Sequence, residues 1–221
     1  MVISTDSECW QRLLSALVCV LLQSFAFEVC AQRTEVNYEK VSRSLNGSAN
    51  ISYRVNKTDI DPTYINNPRE LRKILGSIDS VMNDTTSAVL RVWLKGYASP
   101  EGSLASNTRL SQGRTESLRQ LLKERYHFPD SIFLTAFCAE DWDGLRAYAD
   151  TAALPHADDV RALLRQGGDA DAREKRLAQR FPEDYRLLLE NCYPLLRRTE
   201  FRIDYTCYDW VRHERTFLDP V

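Results

Sequence analysis

The chain has no excess of charge in either direction. Its 29 Lys and Arg against 31 Asp and Glu leave a formal net charge of −2, so it has neither a basic field for nucleic acid nor an acidic tail. It has no internal repeat and no low-complexity tract. Histidine is scarce: His127, His156 and His213 are scattered, and none falls at a metal-ligand spacing from a cysteine. No CxxC pair occurs among Cys138, Cys192 and Cys207, so neither a metal nor any other cofactor is expected. No Ser-His-Asp or Cys-His set converges by spacing, and no paired carboxylates show an acid/base split. The reading is therefore of a protein without catalytic residues.

Long hydrophobic runs are also few. The one that stands out, Leu13 to Phe27, follows Arg12 and is followed by Val29-Cys30-Ala31. It is too short to span a bilayer comfortably. Its flanks, with small residues before Gln32, fit a secretory signal peptide over residues 1–31. The mature chain is then exported, has no transmembrane helix, and keeps three of the six cysteines. An odd number permits one disulfide at most, and the three read as small buried residues. About five strands can be found, too few for a membrane barrel, which needs about eight.

What remains has the size of one domain, or of one domain with a large insertion. Residues 32–48 read as a polar lead-in. Asn50 to Val55 alternates as a first strand, with Ile51, Tyr53 and Val55 on one face. Asn66-Asn67-Pro68 starts a helix by an amide cap with proline at its first position, and Leu71, Ile74, Leu75, Ile78 and Met82 follow at helical spacing. Ala88 to Lys95 reads as a central strand whose inner face is Ala88, Leu90, Val92 and Leu94. Ser103 to Arg125 reads as a second helix and Ser131 to Cys138 as a third strand. A helical stretch covers about 141–194. Thr199 to Cys207 alternates most cleanly, with Phe201, Ile203, Tyr205 and Cys207 inward, and residues 208–221 form a tail. The order β-α-β-α-β-(helices)-β with one-sided strands predicts an α/β two-layer sandwich.

The densest signal lies between Gly96 and Arg114. A strand ends in the turn Gly96-Tyr97-Ala98-Ser99-Pro100-Glu101-Gly102, which feeds the second helix. At about 100° per residue, Asn107 and Arg114 fall on the same arc as Leu110, Leu118, Leu121 and Leu122. An amide and a charge on a core-facing arc need partners, which suggests a ligand site at the start of the helix.

These residues, with Asn107, Leu110-Ser111 and Arg114 in register and Arg197-Arg198 before Glu200, resemble the signature of the OmpA C-terminal domain family. The Gly-Tyr-Ala-Ser-Pro-Glu-Gly-Ser form, with Trp142 to Arg146, looks like the variant common in exported proteins of Bacteroides-type bacteria. The resemblance implies an OmpA-like β-α-β-α-β-β domain over residues 49–207, with extra helices inserted before the last strand. It also implies a non-catalytic periplasmic module that binds the peptide stem of peptidoglycan; any attachment to the outer membrane would come through a partner. In that family an aspartate of the turn and the helix arginine clasp the two ends of a diaminopimelate side chain. Arg114 stands at the arginine position, and its fork suits a carboxylate. The aspartate position holds Ser99, and Glu101 is the carboxylate two residues on. Ser99, Glu101, Asn107, Arg114 and Arg198 are thus the candidate ligand-binding residues, with peptidoglycan or envelope proteins as partners.

Four alternatives stay open. Arg114 reads equally as a structural arginine bonded to carbonyls of the turn. The domain reads also as a protein–protein module of an outer-membrane or surface-fibre assembly, with the inserted helices as its contact surface. Trp93, Trp142 and Trp210 read as core residues or as a contact surface, with core packing favoured. Asp141, Asp143, Asp158 and Asp159 read as solvated faces or helix starts.

Overall fold

The computed structural model describes residues 32–218. It divides into two units: residues 42–209, and a unit to which the described residues 32–41 and 210–218 belong. The described part of the second unit consists of the outer ends of two strands.

One four-stranded sheet runs β1-β4-β2-β3. Its strands are β1 (Gln32–Ser52), β2 (Ser87–Tyr97), β3 (Phe133–Cys138) and β4 (Arg198–Leu218). Helix α1 (Asn67–Asn83) joins β1 to β2, and α2 (Leu104–Tyr126) joins β2 to β3. Five further helices lie between β3 and β4: α3 (Trp142–Thr151), α4 (Ala157–Leu164), α5 (Ala170–Arg180), α6 (Pro182–Asn191) and α7 (Tyr193–Leu196). β3 pairs with β2 in parallel and β4 pairs with β2 antiparallel. The α/β two-layer sandwich read from the sequence is the fold observed.

Two hydrophobic clusters build residues 42–209. In the first, α1 (Ile74, Ile78) and α2 (Leu118, Leu122) cover the sheet face formed by Ile51, Tyr53, Val92, Leu94, Phe201 and Ile203. In the second, the inserted helices bury Leu145, Val160, Leu164, Leu177, Leu188 and Tyr193 among themselves. The insertion therefore has a core of its own. Each fully buried aliphatic side chain contributes about 1.5–3 kcal/mol, and both clusters contain several.

Several boundaries differ from the sequence reading, each for a visible reason. The lead-in and the tail are not loops, since β1 begins at Gln32 and β4 runs to Leu218. Their apolar residues do not keep to one parity in the sequence, Val36 against Val41 and Trp210 against Val211, so the alternation rule has nothing to follow. β1 ends at Ser52, and Val55 lies beyond it, exposed. In β2 the pairing with β4 shifts register between Val89 and Arg91. Leu90 is the extra residue of this bulge; it is exposed, and Val89 packs on the core instead.

Helix α1 starts where expected, but Asn66 makes no side-chain cap. The working amide is the buried Asn67, which exchanges two hydrogen bonds with the Ser52 backbone and donates a third to the Asp61 carbonyl. Trp142 lies in the second core, whereas Trp93 is 37% exposed on the outer sheet face. There its indole N–H donates to Asp204 at 2.8 Å and Arg202 stacks on its ring. The side chain of Trp210, like the whole of residues 1–31, lies outside the described residues. Cys192 is buried, Cys138 and Cys207 are half-buried, and all three are free thiols. Among the described residues no helix is long and apolar enough to cross a membrane.

Candidate functional site

The turn between β2 and α2 is held by close contact with the helix that follows it. Gly96 lies so near α2 that a Cβ there would meet the Ser111 carbonyl oxygen at 2.2 Å and the Thr115 hydroxyl at 2.4 Å. Its amide donates to Thr115 Oγ1 at 2.9 Å. Gly102 takes φ +89°, in the left-handed region that glycine enters without penalty. Ser103 then caps α2 by accepting from the Ser106 amide. The turn is thus fixed at both glycines, and Tyr97, Ala98, Ser99 and Pro100 between them are buried.

Arg114 is fully buried, as its place on the apolar arc requires. Its guanidinium donates to three backbone carbonyls: Tyr97 at 2.9 Å, Lys57 at 3.0 Å and Arg54 at 3.4 Å. The Tyr53 ring lies 5.4 Å away. Burial, and then the positive charge of Arg197, draw its pKa down to about 10, so it stays charged at neutral pH. The expected carboxylate-facing arginine instead ties α2 to the end of β2 and to the loop between β1 and α1. Its surface is closed to a ligand because its fork is spent on the chain.

The other four candidates divide. Ser99, 2% exposed, donates its hydroxyl to Glu101 Oε1 at 3.1 Å. The same carboxylate oxygen receives Arg197 Nη1 at 2.7 Å. Asn107 is buried and donates to Glu140 Oε1, so it ties α2 to the β3–α3 loop rather than to the turn. Arg198 is committed elsewhere. It pairs with Asp141 at 2.5 Å and Glu200 at 2.8 Å, and stacks on Tyr97 at 4.0 Å. Asp141 also caps α3 by accepting from the Gly144 amide, a helix-start role performed from a buried position.

The structure brings together Ser99, Glu101 and Arg197 at the half-exposed end of the turn, its mouth, and the charges of Glu101 and Arg197 both reach Arg114. Arg197 was not among the residues singled out by sequence, although the signal was present. Side chains alternate along a strand, and Arg197 shares parity with the inward Thr199, Phe201 and Ile203, whereas Arg198 shares it with Glu200 and Arg202. Arg197 is indeed the buried member of the pair, at 7% exposure. From the inserted helices, Tyr193, Tyr185 and Glu174 come within the electrostatic range of Glu101. Tyr185 donates its hydroxyl to Glu174, and the two tyrosine rings meet edge-on at 6.1 Å. Burial, and then the charges of Glu101, Glu140 and Asp171, raise the Glu174 pKa against that hydrogen bond.

A hollow of about 650 Å³ opens on the outer face of the sheet, lined by Trp93, Lys95, Leu134, Ala136, Glu200 and Arg202. Among the described residues no group of His, Cys, Asp and Glu is arranged to hold a metal ion.

No protein-family model matches the sequence, and no curated protein matches it. Among solved structures, the chain is similar to the OmpA-like domain of FopA1 from Francisella tularensis, at 12% identity and a TM-score of 0.41, over 85% of this chain and 89% of that one. It is also similar to the peptidoglycan-associated lipoprotein from Burkholderia pseudomallei, at 12% identity and a TM-score of 0.38, over 73% of this chain and 90% of that one.

Proposed function

We propose that this protein is an exported, non-catalytic cell-envelope module of the OmpA-like kind that binds the peptide stem of peptidoglycan. The observation that carries the reading is the Glu101–Arg197 pair at the mouth of the turn, with a carboxylate and a guanidinium 2.7 Å apart. A diaminopimelate side chain ends in an ammonium and a carboxylate, and such a pair complements both. Glu101 takes over the carboxylate role that Ser99 cannot fill. Arg197 takes the role expected of Arg114, which supports the mouth from behind. The Ser99 hydroxyl orients Glu101.

Retention on purified sacculi tests this. Wild type is expected to be retained, with Glu101→Gln and Arg197→Lys each reducing retention at least tenfold. Equal retention of all three proteins, or retention of none, overturns the reading.

A second reading is favoured by the outer sheet face, where Trp93 and the bulged Leu90 expose apolar surface beside the 650 Å³ hollow. In it the module captures an envelope protein of an outer-membrane or surface-fibre assembly. Trp93→Ala then abolishes partner capture and leaves sacculus retention alone.

A further inference from the structure

Among the described strands β3 ends the sheet, with β2 on one side only. The direction of its backbone groups can be counted. Cys138 accepts from the Ala98 amide on the β2 side, whereas the Phe133 amide turns away to the Asp130 carbonyl. Backbone groups alternate in direction along a strand as side chains alternate between faces. Leu134, Ala136 and Cys138 therefore address β2, while Thr135 and Phe137 direct N–H and C=O to the open edge, where residues 135–137 are exposed. Natural edges are blunted by charge, proline or a bulge. The run Phe133-Leu134-Thr135-Ala136-Phe137-Cys138 has no charge and no proline, and it pairs with β2 in unbroken register.

Both faces of this edge are hollowed. On the helix side, a hollow of about 250 Å³ is lined by Gln112, Thr115, Glu116, Thr135 and Phe137, and Phe137 is 48% exposed. On the outer side, the 650 Å³ hollow reaches Leu134 and Ala136 and includes Trp93 and Lys95 of β2. Lys95 stands level with Ala136, whose small side chain does not cover it. Among the described residues Lys95 has no ion-pair partner. Its Nζ rests 4.8 Å over the Tyr97 ring, and the nearby Glu200 is bonded by Arg198 and Tyr97. The Thr115 hydroxyl accepts from the Gly96 amide and reaches the Ala136 carbonyl at 3.0 Å, so the edge is pinned to α2 and stands ready-formed.

We propose that β3 is a docking edge for an extended peptide segment of another protein, which adds to the sheet as a fifth strand and carries an acidic residue toward Lys95. In strand addition the main chain supplies affinity and pockets for alternate side chains supply specificity. Here the incoming main chain bonds Thr135 and Phe137. One set of its side chains is apolar and packs on Phe137 in the 250 Å³ hollow. The other set lies over Leu134 and Ala136, where one carboxylate pairs with Lys95. A second copy of β3 is the poorer occupant, because that strand is uncharged and brings nothing to Lys95. Strand addition at β3 goes beyond the two functional readings and depends on neither.

The test is fluorescence polarisation of the mature protein with a labelled alternating peptide, Thr-Val-Glu-Val-Thr-Val, joined to amide hydrogen exchange. Wild type is expected to bind it, to bind the peptide with Lys in place of Glu at least threefold more weakly, and not to bind the fully N-methylated form. Lys95→Glu should reverse the preference between the Glu and Lys peptides. Thr135→Pro removes only an outward N–H, a change that edge strands tolerate, and should weaken binding at least tenfold. The amides of Thr135 and Phe137 should exchange fast in the free protein and slowly in the complex, with Leu134 and Ala136 slow in both. Failure of wild type to bind the Glu peptide overturns the proposal, as does binding that survives N-methylation or a preference that Lys95→Glu leaves unreversed. Protection of Thr135 and Phe137 that grows with protein concentration, without peptide, gives the edge to a second copy and overturns it too.

Discussion

Replacing Tyr193 by Phe should stabilise the free protein, an unusual expectation for a fully buried core residue. The substitution removes one oxygen and leaves the ring, so the edge-on contact with Tyr185 at 6.1 Å and the packing in the second core are kept. What disappears is a buried hydroxyl with no partner among protein groups. Such a group costs about 1–3 kcal/mol in lost hydration, and partial relaxation around the new ring leaves a gain of about 1 kcal/mol. For a chain of this size that is a rise of about 2–4 °C in Tm, or a higher urea midpoint at unchanged slope. Two other tyrosines serve as internal controls. Tyr185→Phe loses the bond to Glu174 and should cost about 1 kcal/mol. Tyr53→Phe loses two, the donation to the Arg114 carbonyl at 3.0 Å and the acceptance from Thr199 at 3.1 Å, and should cost about 1–2 kcal/mol. Thermal and urea unfolding of the three variants beside wild type decide the matter. If Tyr193→Phe is destabilised as much as Tyr185→Phe, the hydroxyl has a partner and the reasoning fails.

Gly96→Ala should cost about 2–3 kcal/mol, because the new methyl meets the Ser111 carbonyl at 2.2 Å; a urea midpoint within error of wild type would refute the close approach. Arg114→Lys should cost at least about 3 kcal/mol. A lysine cannot serve three diverging carbonyls, so chemical unfolding that shows under 1 kcal/mol of loss would show that the arginine is not a structural tie. The Asp61 carboxyl is held at about 2 by the Thr63 hydroxyl first, then by the Thr63 amide and Arg54. Its folded pKa lies below the ordinary 3.8, so its contribution is complete above that value and is lost as pH falls toward 2. NMR titration of Asp61 should follow that midpoint, Asp61→Asn should remove this part of the acid dependence, and a midpoint near 4 would refute the assignment.

The fold was legible wherever a face was buried on one side only. Phe201 and Ile203 alternate because β4 covers the core with one face, and α1 shows its Ile74–Ile78 stripe for the same reason. The reading failed where pattern and burial part company. Leu90 follows the apolar alternation of β2 perfectly, yet a bulge turns it out, and a bulge inserts a residue without changing composition. The apolar residues in the outer ends of β1 and β4 keep to no single parity in the sequence, so only the extended backbone marks these ends as strand. The separate core of the insertion was invisible because apolar pieces at helical spacing do not say which other pieces they meet.

The site shows the same division more sharply. Arg114 was conspicuous because it breaks an apolar helical arc, and conspicuousness was mistaken for availability. A charge on that arc is by construction aimed at the interior, and the interior here offers three carbonyls. A ligand site needs the opposite combination, a polar group held in the fold but with bonding capacity left over. Arg197 meets that condition: it is 7% exposed, its Nη1 is on the turn's carboxylate, and its Nε is idle. Its inward parity with Thr199 and Phe201 could be counted from the sequence. Its pairing with Glu101 could not, because the two lie 96 residues apart and no spacing rule links them. The arginine that stands out in the sequence therefore builds the mouth, while the one hidden in a strand start is left free to use it.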